Sequence, residues 1–401
     1  MEKRDFSTTY DVIVVGAGCA GFGAAMGAAR AGKKVLLLDG NSGPGGTAAF
    51  AGCPVFSPYV PRTERPFSGV FGEFVEALGS RCRTPQGRIT VNTSEFDVTL
   101  IMTRMLARAG VDMLFYATLT AAAVTRGVIE SITVFCCGGK LRFSAPCFVD
   151  ATGDAVLTDL AGGETVTATA EEAMTRTVLF RVSGVENFDR EKIKTLFPTL
   201  GFPYPHQDRF MAVPVGREGE DILVNLTAVS GNALDPFDRT RMDIELREQI
   251  EVIHRWMREK LPGFEMCRIA AAAPVMGVRA SRFIVGRTVV SCRDLDENTP
   301  VPDPVAVGQR SYGDHFVSRF AGPWHKMNAG TRGIPYRALL PEKIRNLAAC
   351  GRCISVDPKI ATAVRYAPCC MATGQAAGIA AALGIPGYEA LKKELVRQNA
   401  V

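Results

Sequence analysis

The sequence predicts an α/β fold: a parallel sheet drawn from both ends of the chain, with an α+β unit inserted between them. Three observations predict it. The chain opens with Tyr10-Asp11-Val12-Ile13-Val14-Val15-Gly16-Ala17-Gly18-Cys19-Ala20-Gly21, an Ala/Gly-rich stretch, and Lys34-Val35-Leu36-Leu37-Leu38-Asp39. A second apolar run, Phe148-Val149-Asp150, ends in the small-residue turn Ala151-Thr152-Gly153-Asp154. A third, Leu347-Ala348-Ala349-Cys350, ends at Gly351 and leads to an Ala/Gly helix expected at 368–383.

Residues 10–39 read as strand, glycine turn, helix and strand. Gly16 permits the tight turn, Gly18 lets backbone approach a pyrophosphate, and Gly21 lets the helix pack close to the sheet. The helix start directs free N–H groups and the positive dipole end at the phosphates. Asp39 follows the second strand, placed to accept hydrogen bonds from a ribose. The motif alone leaves open whether the nucleotide is NAD or FAD. Gly43-Pro44-Gly45-Gly46-Thr47 forms a loop, and the stretch to about 93 reads as further loops with a short helix near 71–79. Leu100, Ile101 and Met105 give an apolar face to a helix over 95–109. Segments 112–116, 119–126, 128–137 and 140–143 resemble an antiparallel meander with glycine turns. A short helix is expected at 155–161.

Composition then changes. Residues 175–185 and 209–230 are strand-like, 239–260 form a charged helix with Leu246, Ile250, Ile253 and Met257 on one face, and 270–291 read as strand. The expected division is a discontinuous nucleotide domain, 1–164 and 326–401, with a substrate or cap domain at 165–325.

The 401 residues carry 47% hydrophobic and 22% charged side chains, globular values that suit two joined domains. The net charge of +5 comes without a basic run or stripe, so nucleic acid is not indicated. The twelve cysteines are scattered, several in apolar runs, which reads as reduced buried thiols. The residues before the first strand are polar, with Glu2 and Asp5, and lack the apolar core of a secretory signal. No apolar run reaches a membrane span. A cytoplasmic protein is expected. No His/Cys set has zinc-ligand spacing, so no metal is expected.

Several segments, in order along nearly the whole chain, carry a resemblance. They are Asp11 to Asp39 with Gly45-Gly46, Ala151-Thr152-Gly153-Asp154, Val278-Arg279-Ala280-Ser281-Arg282-Phe283-Ile284-Val285-Gly286, Ile334-Pro335-Tyr336-Arg337-Ala338-Leu339-Leu340-Pro341, and Gly351-Arg352-Cys353 with Arg365 and Gly374-Gln375-Ala376-Ala377-Gly378. Together they resemble the FAD-dependent oxidoreductase family of glutathione-reductase-type flavoproteins, whose distant relatives include the fumarate reductase flavoproteins. Asp39 departs from the Glu usual there, though either accepts ribose hydroxyls. The resemblance implies a Rossmann-like FAD-binding domain and FAD as cofactor. It implies Gly16, Gly18, Ala20 and Gly21 at the pyrophosphate and Asp39 at the adenosine ribose. Gly45, Gly46 and Thr47 would run along the flavin side, and Ala122 or Ala123 would meet the adenine through backbone. Thr152, Gly153 and Asp154 would flank the diphosphate and ribityl region. Gly351, Arg352, Arg365 and Ala367 would lie toward the ribityl chain and ring. No second GxGxxG follows a strand, so a built-in NAD(P)H domain is not expected.

The expected reaction is hydride transfer between a small polar organic substrate and flavin N5, with an electron donor or acceptor of unassigned identity. A homo-oligomer is left open. The alternatives are an FAD-containing lyase or hydratase and, against the low basic charge, a flavoprotein that modifies a macromolecule. Hydride transfer calls for a proton acceptor or donor. His325, in a polar-aromatic loop before the chain returns to the nucleotide domain, is the first choice among the four histidines. It also reads as a plain loop residue. Arg279 either binds a substrate carboxylate or pairs with an acidic side chain, and Arg282 reads as the latter. Tyr336 either donates a proton or packs. His254 reads as structural, while His206 and His315 have only Asp208 and Asp314 nearby. Cys350 and Cys353 form a CxxC at a strand end, and Cys369 and Cys370 begin a helix. A dithiol relay is the lesser reading of both pairs.

Overall fold

The computed structural model describes residues 9–56, 68–82, 90–169, 172, 174–204, 210–216, 220–291, 293–294, 300–308, 311–312, 325–326 and 333–400, with 311–312 and 325–326 described by backbone only. A five-stranded parallel sheet organises the ends of the chain. Its strands are β1 (Val12–Val15), β2 (Val35–Leu38), β3 (Asp112–Leu114), β4 (Cys147–Asp150) and β5 (Leu347–Ala349), in the spatial order β5-β4-β1-β2-β3. Four of them are buried throughout. That is why they read as continuous apolar runs: a parallel sheet is covered on both faces. Val12, Val14, Val35 and Leu37 join one core. Ile13, Val15, Leu36 and Leu38 join another.

The longer helices are α1 (Cys19–Arg30), α2 (Glu95–Arg108), α3 (Pro236–Lys260) and α4 (Ala367–Ala382). On one face of the sheet, α1 and α4 touch backbone to backbone. A Cβ on Gly374 would lie 2.0 Å from the Ala20 carbonyl oxygen, and one on Gly378 1.9 Å from that of Ala24. The Ala/Gly composition of both helices is thus a packing requirement. On the opposite face lies a three-stranded antiparallel meander, Ala117–Thr125, Val128–Cys136 and Gly139–Phe143, which contributes Ile129, Ile132, Val134 and Phe143 to the core beneath it.

The expected meander included 112–116, and this is corrected. Asp112–Leu114 is instead the edge strand β3, parallel to β2 with Asp112 opposite Leu36. The reason is α2, a crossover that returns the chain in the same direction as β2. Three residues of alternation carry no sign of direction. Ser94 caps α2 by accepting from the Asp97 N–H at 3.1 Å.

Residues between 178 and 278 build a separate core. Ala212–Val215, Asp221–Val224, Phe180–Ser183 and Arg268–Ala272 form a four-stranded antiparallel sheet in that spatial order. α3 supplies Met242, Leu246, Ile250, Ile253, Trp256 and Met257 to that core. It starts earlier than the sequence suggests, because Pro236 fits its first turn and Asp235 caps it, accepting from the Asp238 N–H at 2.7 Å. The single strand expected over 270–291 is also corrected. Arg268–Ala272 and Arg282–Ile284 are separate strands in different sheets. The chain between them instead bonds outside any named strand: Gly277 bridges to Thr177, and the Val275 N–H donates to the Phe50 carbonyl at 3.2 Å. Among the described residues, no helix is long and apolar enough to cross a membrane.

Candidate functional site

Three chain segments converge at the C-terminal edge of the parallel sheet, the position where open α/β sheets bind ligands. The first is the glycine turn after β1. Gly16 has φ +100°, and a Cβ there would lie 2.4 Å from the Ala151 carbonyl oxygen. A Cβ on Gly21 would lie 1.7 Å from the Gly16 oxygen, so the α1 start lies directly against the turn. Gly18 differs: a Cβ there meets nothing closer than Gly46 Cα at 3.9 Å. Gly18 is also the N-cap of α1, which has no side-chain cap and no acidic residue in its first turn. Its N–H groups and positive dipole end are therefore offered to a ligand. The Asp39 carboxylate braces this turn. One oxygen accepts from the Ala17 N–H at 2.6 Å, the other from the Asn41 backbone and side chain at 2.7 and 2.8 Å. The next loop docks here, with the Gly45 N–H donating to the Ala17 carbonyl at 2.8 Å. Gly46 and exposed Thr47 follow in a 3-10 turn.

The second segment follows β4. Asp150 is fully buried and shapes the turn after it. One of its oxygens accepts from the Thr152 N–H and hydroxyl, the other from those of Thr158. Arg352 lies across Gly153, where a Cβ would meet Nε at 2.6 Å. Its guanidinium pairs with Asp154 at 2.7 Å and donates to Ser281 at 3.2 Å, and the Ser281 hydroxyl also donates to Asp154. Burial pushes the Asp154 carboxyl up, but the Arg352 charge and the Ser281 hydrogen bond outweigh it and hold it below the ordinary carboxylate range. Arg176 lies close enough for burial and the Arg352 charge to lower its own basicity. It donates to the Met174 and Ala280 carbonyls at 2.7 and 3.2 Å. Arg282 pairs with Asp159 and donates to the Asp154 carbonyl, the structural role expected of it.

The third segment is the 3-10 turn Gly351–Cys353 with the start of α4. A Cβ on Gly351 would lie 2.8 Å from that of Ala20. Ala367 opens α4 with Pro368 behind it in the first turn. Arg365 precedes that start, its guanidinium 5.2 Å from the Tyr366 ring centre. Among the candidate residues, Ala123 is half-buried on the meander opposite Ser131, in a strand whose first residue, Ala117, donates its N–H to the Asp39 carbonyl at 2.9 Å.

Of the three candidate catalytic residues, the two whose side chains are described, Arg279 and Tyr336, have different surroundings. Arg279 is buried, donates to the Thr175 carbonyl, and reaches Asn225 at 3.4 Å. Tyr336 is buried in the helix-side core, its phenol pushed up by burial, with Cys147 at the start of β4 adding to the rise. His325 lies by its backbone in a two-residue strand opposite Tyr312, not a loop, and its side chain is outside the described residues. His206 and His315 are also outside them. His254 bonds the Cys267 carbonyl at 3.1 Å, as a structural residue does. Cys350, Cys353, Cys369 and Cys370 are buried free thiols. Burial pushes all four upward, Cys370 to about 12. Such thiols stay protonated and unreactive at neutral pH.

Sequence reasoning missed Asp150, Ser281 and Arg176. Ser281 stood inside a quoted motif, but only its contact with Asp154 across 127 positions gives it a role. The sequence matches the FAD dependent oxidoreductase family over residues 11–395. Similar solved structures include a p-nitrophenol 4-monooxygenase from Pseudomonas putida DLL-E4, at 14% identity over 70% of each chain with a TM-score of 0.44. Another is a geranylgeranyl bacteriochlorophyll reductase-like protein from Thermoplasma acidophilum, at 13% identity over 98% of this chain and 80% of that one, TM-score 0.44. A third is the flavin-dependent brominase Bmp2, at 13% over 98% and 84%, TM-score 0.47. With its glycine turn at the sheet edge and a family match over nearly its whole length, the chain belongs to the FAD-dependent oxidoreductases: it is a flavoenzyme whose cofactor is FAD.

Proposed function

We propose that the enzyme transfers a hydride between a small polar organic substrate and flavin N5. Bound FAD supplies the two-electron acceptor or donor. The residues fit that cofactor, because Gly18 is open where Gly16 and Gly21 are closed and the α1 start is uncapped. In this reading Gly16, Gly18, Ala20 and Gly21 hold the diphosphate, Asp39 the ribose, and the Ala123 backbone the adenine. Gly45, Gly46 and Thr47 run along the cofactor's flavin side, Thr152, Gly153 and Asp154 flank the diphosphate and ribityl region, and Gly351 and Arg352 lie toward the ribityl chain. Arg365 and Ala367 lie at the ring end. The meander over one sheet face suits the glutathione-reductase-type arrangement. The segment 165–325 is read as an inserted substrate or cap domain.

The observation that carries this reading is the docking of residues 50–53. They continue from the Gly45-Gly46 loop, yet they pack on the second core. The Phe50 carbonyl accepts from Val275, and a Cβ on Gly52 would touch that of Ala273 at 3.0 Å. The cofactor edge and the second sheet thus share a wall, and pockets form at such junctions. Arg279 orients the substrate there, and His325 moves the proton. Anaerobic titration with candidate substrates, following the flavin's visible band, tests the reading. Reduction by a small organic molecule supports it. The His325→Ala variant tests the proton role: a flavin reduction rate equal to that of the parent removes His325 from the mechanism.

A further inference from the structure

The meander over the sheet turns one of its hairpins on two adjacent cysteines. The strand Val128–Cys136 passes into Gly139–Phe143 with Cys136 opposite Gly139, so Cys137 and Gly138 form a two-residue loop. Both have positive φ, +50° at Cys137 and +84° at Gly138. This is the mirror-image turn that suits right-twisted strands, and its first central position ordinarily takes Asn, Asp or Gly. Cys137 stands there against its own preference, because a left-handed backbone crowds an L side chain. Local strain of this kind points to a role for the side chain.

The two thiols touch. Cys136 Sγ lies 3.7 Å from Cys137 Sγ and 3.8 Å from the Phe115 carbonyl oxygen, either of which accepts its proton. Cys136 is half-buried and Cys137 is exposed. Among the described residues, a Cβ on Gly138 would meet nothing within 4 Å, so the turn is open to a reagent. The buried thiols Cys350, Cys353, Cys369 and Cys370 lack that access.

We infer that Cys136 and Cys137 are a two-electron redox pair, oxidised to a vicinal disulfide by exchange with a small-molecule disulfide of the glutathione disulfide type. The exposed Cys137 attacks as thiolate, bonds to one glutathione sulfur and expels the other half as a thiolate. The Cys136 thiolate then attacks Cys137 Sγ, the bond to glutathione breaks, and a second glutathione leaves. The two cysteine protons pass to the two glutathiones released, and two electrons move from the pair to the oxidant. A trans peptide holds adjacent Cα atoms about 3.8 Å apart, below the span of about 4.4–6.8 Å usual across a disulfide. The closed ring is therefore strained and readily reduced, as labile and regulatory disulfides are. Such a pair follows the surrounding thiol–disulfide balance and does not lock the fold.

To test this, the FAD-loaded protein is reduced, freed of reductant and equilibrated without oxygen in buffers of rising glutathione disulfide to glutathione ratio. It is then quenched with acid and alkylated with N-ethylmaleimide. Trypsin releases both cysteines, and no other, on residues 127–140. As the ratio rises, this peptide should lose two hydrogens and escape alkylation, and reduced glutathione should return it to the doubly alkylated form. Half closure should need a ratio at least about tenfold lower than in the same protein unfolded in urea, because folding holds the thiols in contact. Cys136→Ser should stop the reaction at a glutathione adduct on Cys137. Cys137→Asn, which suits the left-handed position, should fold and hold FAD as the parent does while forming no ring. A parent peptide that stays doubly alkylated throughout overturns the inference. So does one that accumulates glutathione adducts, a Cys137 cross-link between two chains, or equal ratios for the folded and unfolded protein. Because no flavin reduction is measured, these results stand apart from a failure of the anaerobic titration.

Discussion

The two cores of this molecule are closed by opposite means. Under the parallel sheet, α1 and α4 meet with almost no side chain between them, Gly374 and Gly378 lying on the Ala20 and Ala24 carbonyls. In the second core, Phe197, Phe202, Phe210, Trp256 and Phe264 interlock edge to face or at a tilt. The first solution brings backbone close to backbone and leaves the α1 start bare for a diphosphate. The second buries large area with adaptable side chains and places its polar groups at its border. Under the function proposed above, the difference divides the work: mostly main chain would hold the cofactor, and side chains would meet the substrate.

The comparison is broken most strongly in the aromatic core. Phe264→Ala should cost about 3–5 kcal/mol of unfolding free energy, since the ring is fully buried. Urea unfolding measures this, and the folded fraction should still carry the FAD visible band. Gly378→Ala should cost about 3 kcal/mol, because a methyl 1.9 Å from a backbone oxygen forces α1 and α4 apart. Here the FAD content of the purified protein should fall as well. Retention of full FAD in Gly378→Ala, or its loss in Phe264→Ala, would reverse the assignment of roles.

At the border between the cores, Arg352→Met should cost about 1–2 kcal/mol, as both partners of the Asp154 pair are roughly a fifth exposed. The pair also sets a pH dependence. The folded Asp154 carboxyl is held below its unfolded value near 4, so its stabilisation is complete above that pH and is lost as pH falls through the folded value. Asp154→Asn should flatten the acid limb of the stability profile, read by thermal unfolding between pH 6 and 3 at about half-unit steps. The smallest effect is expected at the thiols. Cys350→Ala with Cys353→Ala should leave flavin reduction within about twofold, because buried thiols raised this far do not act as nucleophiles. A large loss of reduction without loss of FAD would restore the dithiol relay.

Much of the first region was legible in the sequence, because main-chain geometry writes itself in residue type. Gly16, Gly18 and Gly21 after Val12–Val15 can serve few other geometries, and the continuous apolar strands announce a sheet covered on both faces. The buried face of α3 was legible too, through its period of 3.6. The direction of β3 was not, since it depends on the crossover before it. The side-chain site was the least legible. Arg352, Ser281 and Asp154 are remote in sequence, and no local pattern distinguishes Ser281 from any other serine. Tyr336 stands in a conspicuous motif, yet its phenol is buried on the helix side of the sheet.

The central claim is that the shared wall of the two regions is where a small molecule exchanges a hydride with the flavin. Anaerobic mixing of the FAD-loaded enzyme with a panel of small polar organic molecules, carboxylates included, tests it most directly. The account predicts that a member of the panel bleaches the flavin's visible band and is recovered oxidised, with air restoring the band. Turnover of a substrate with no change in that band, retained when FAD is replaced by a redox-inactive analogue, would contradict it.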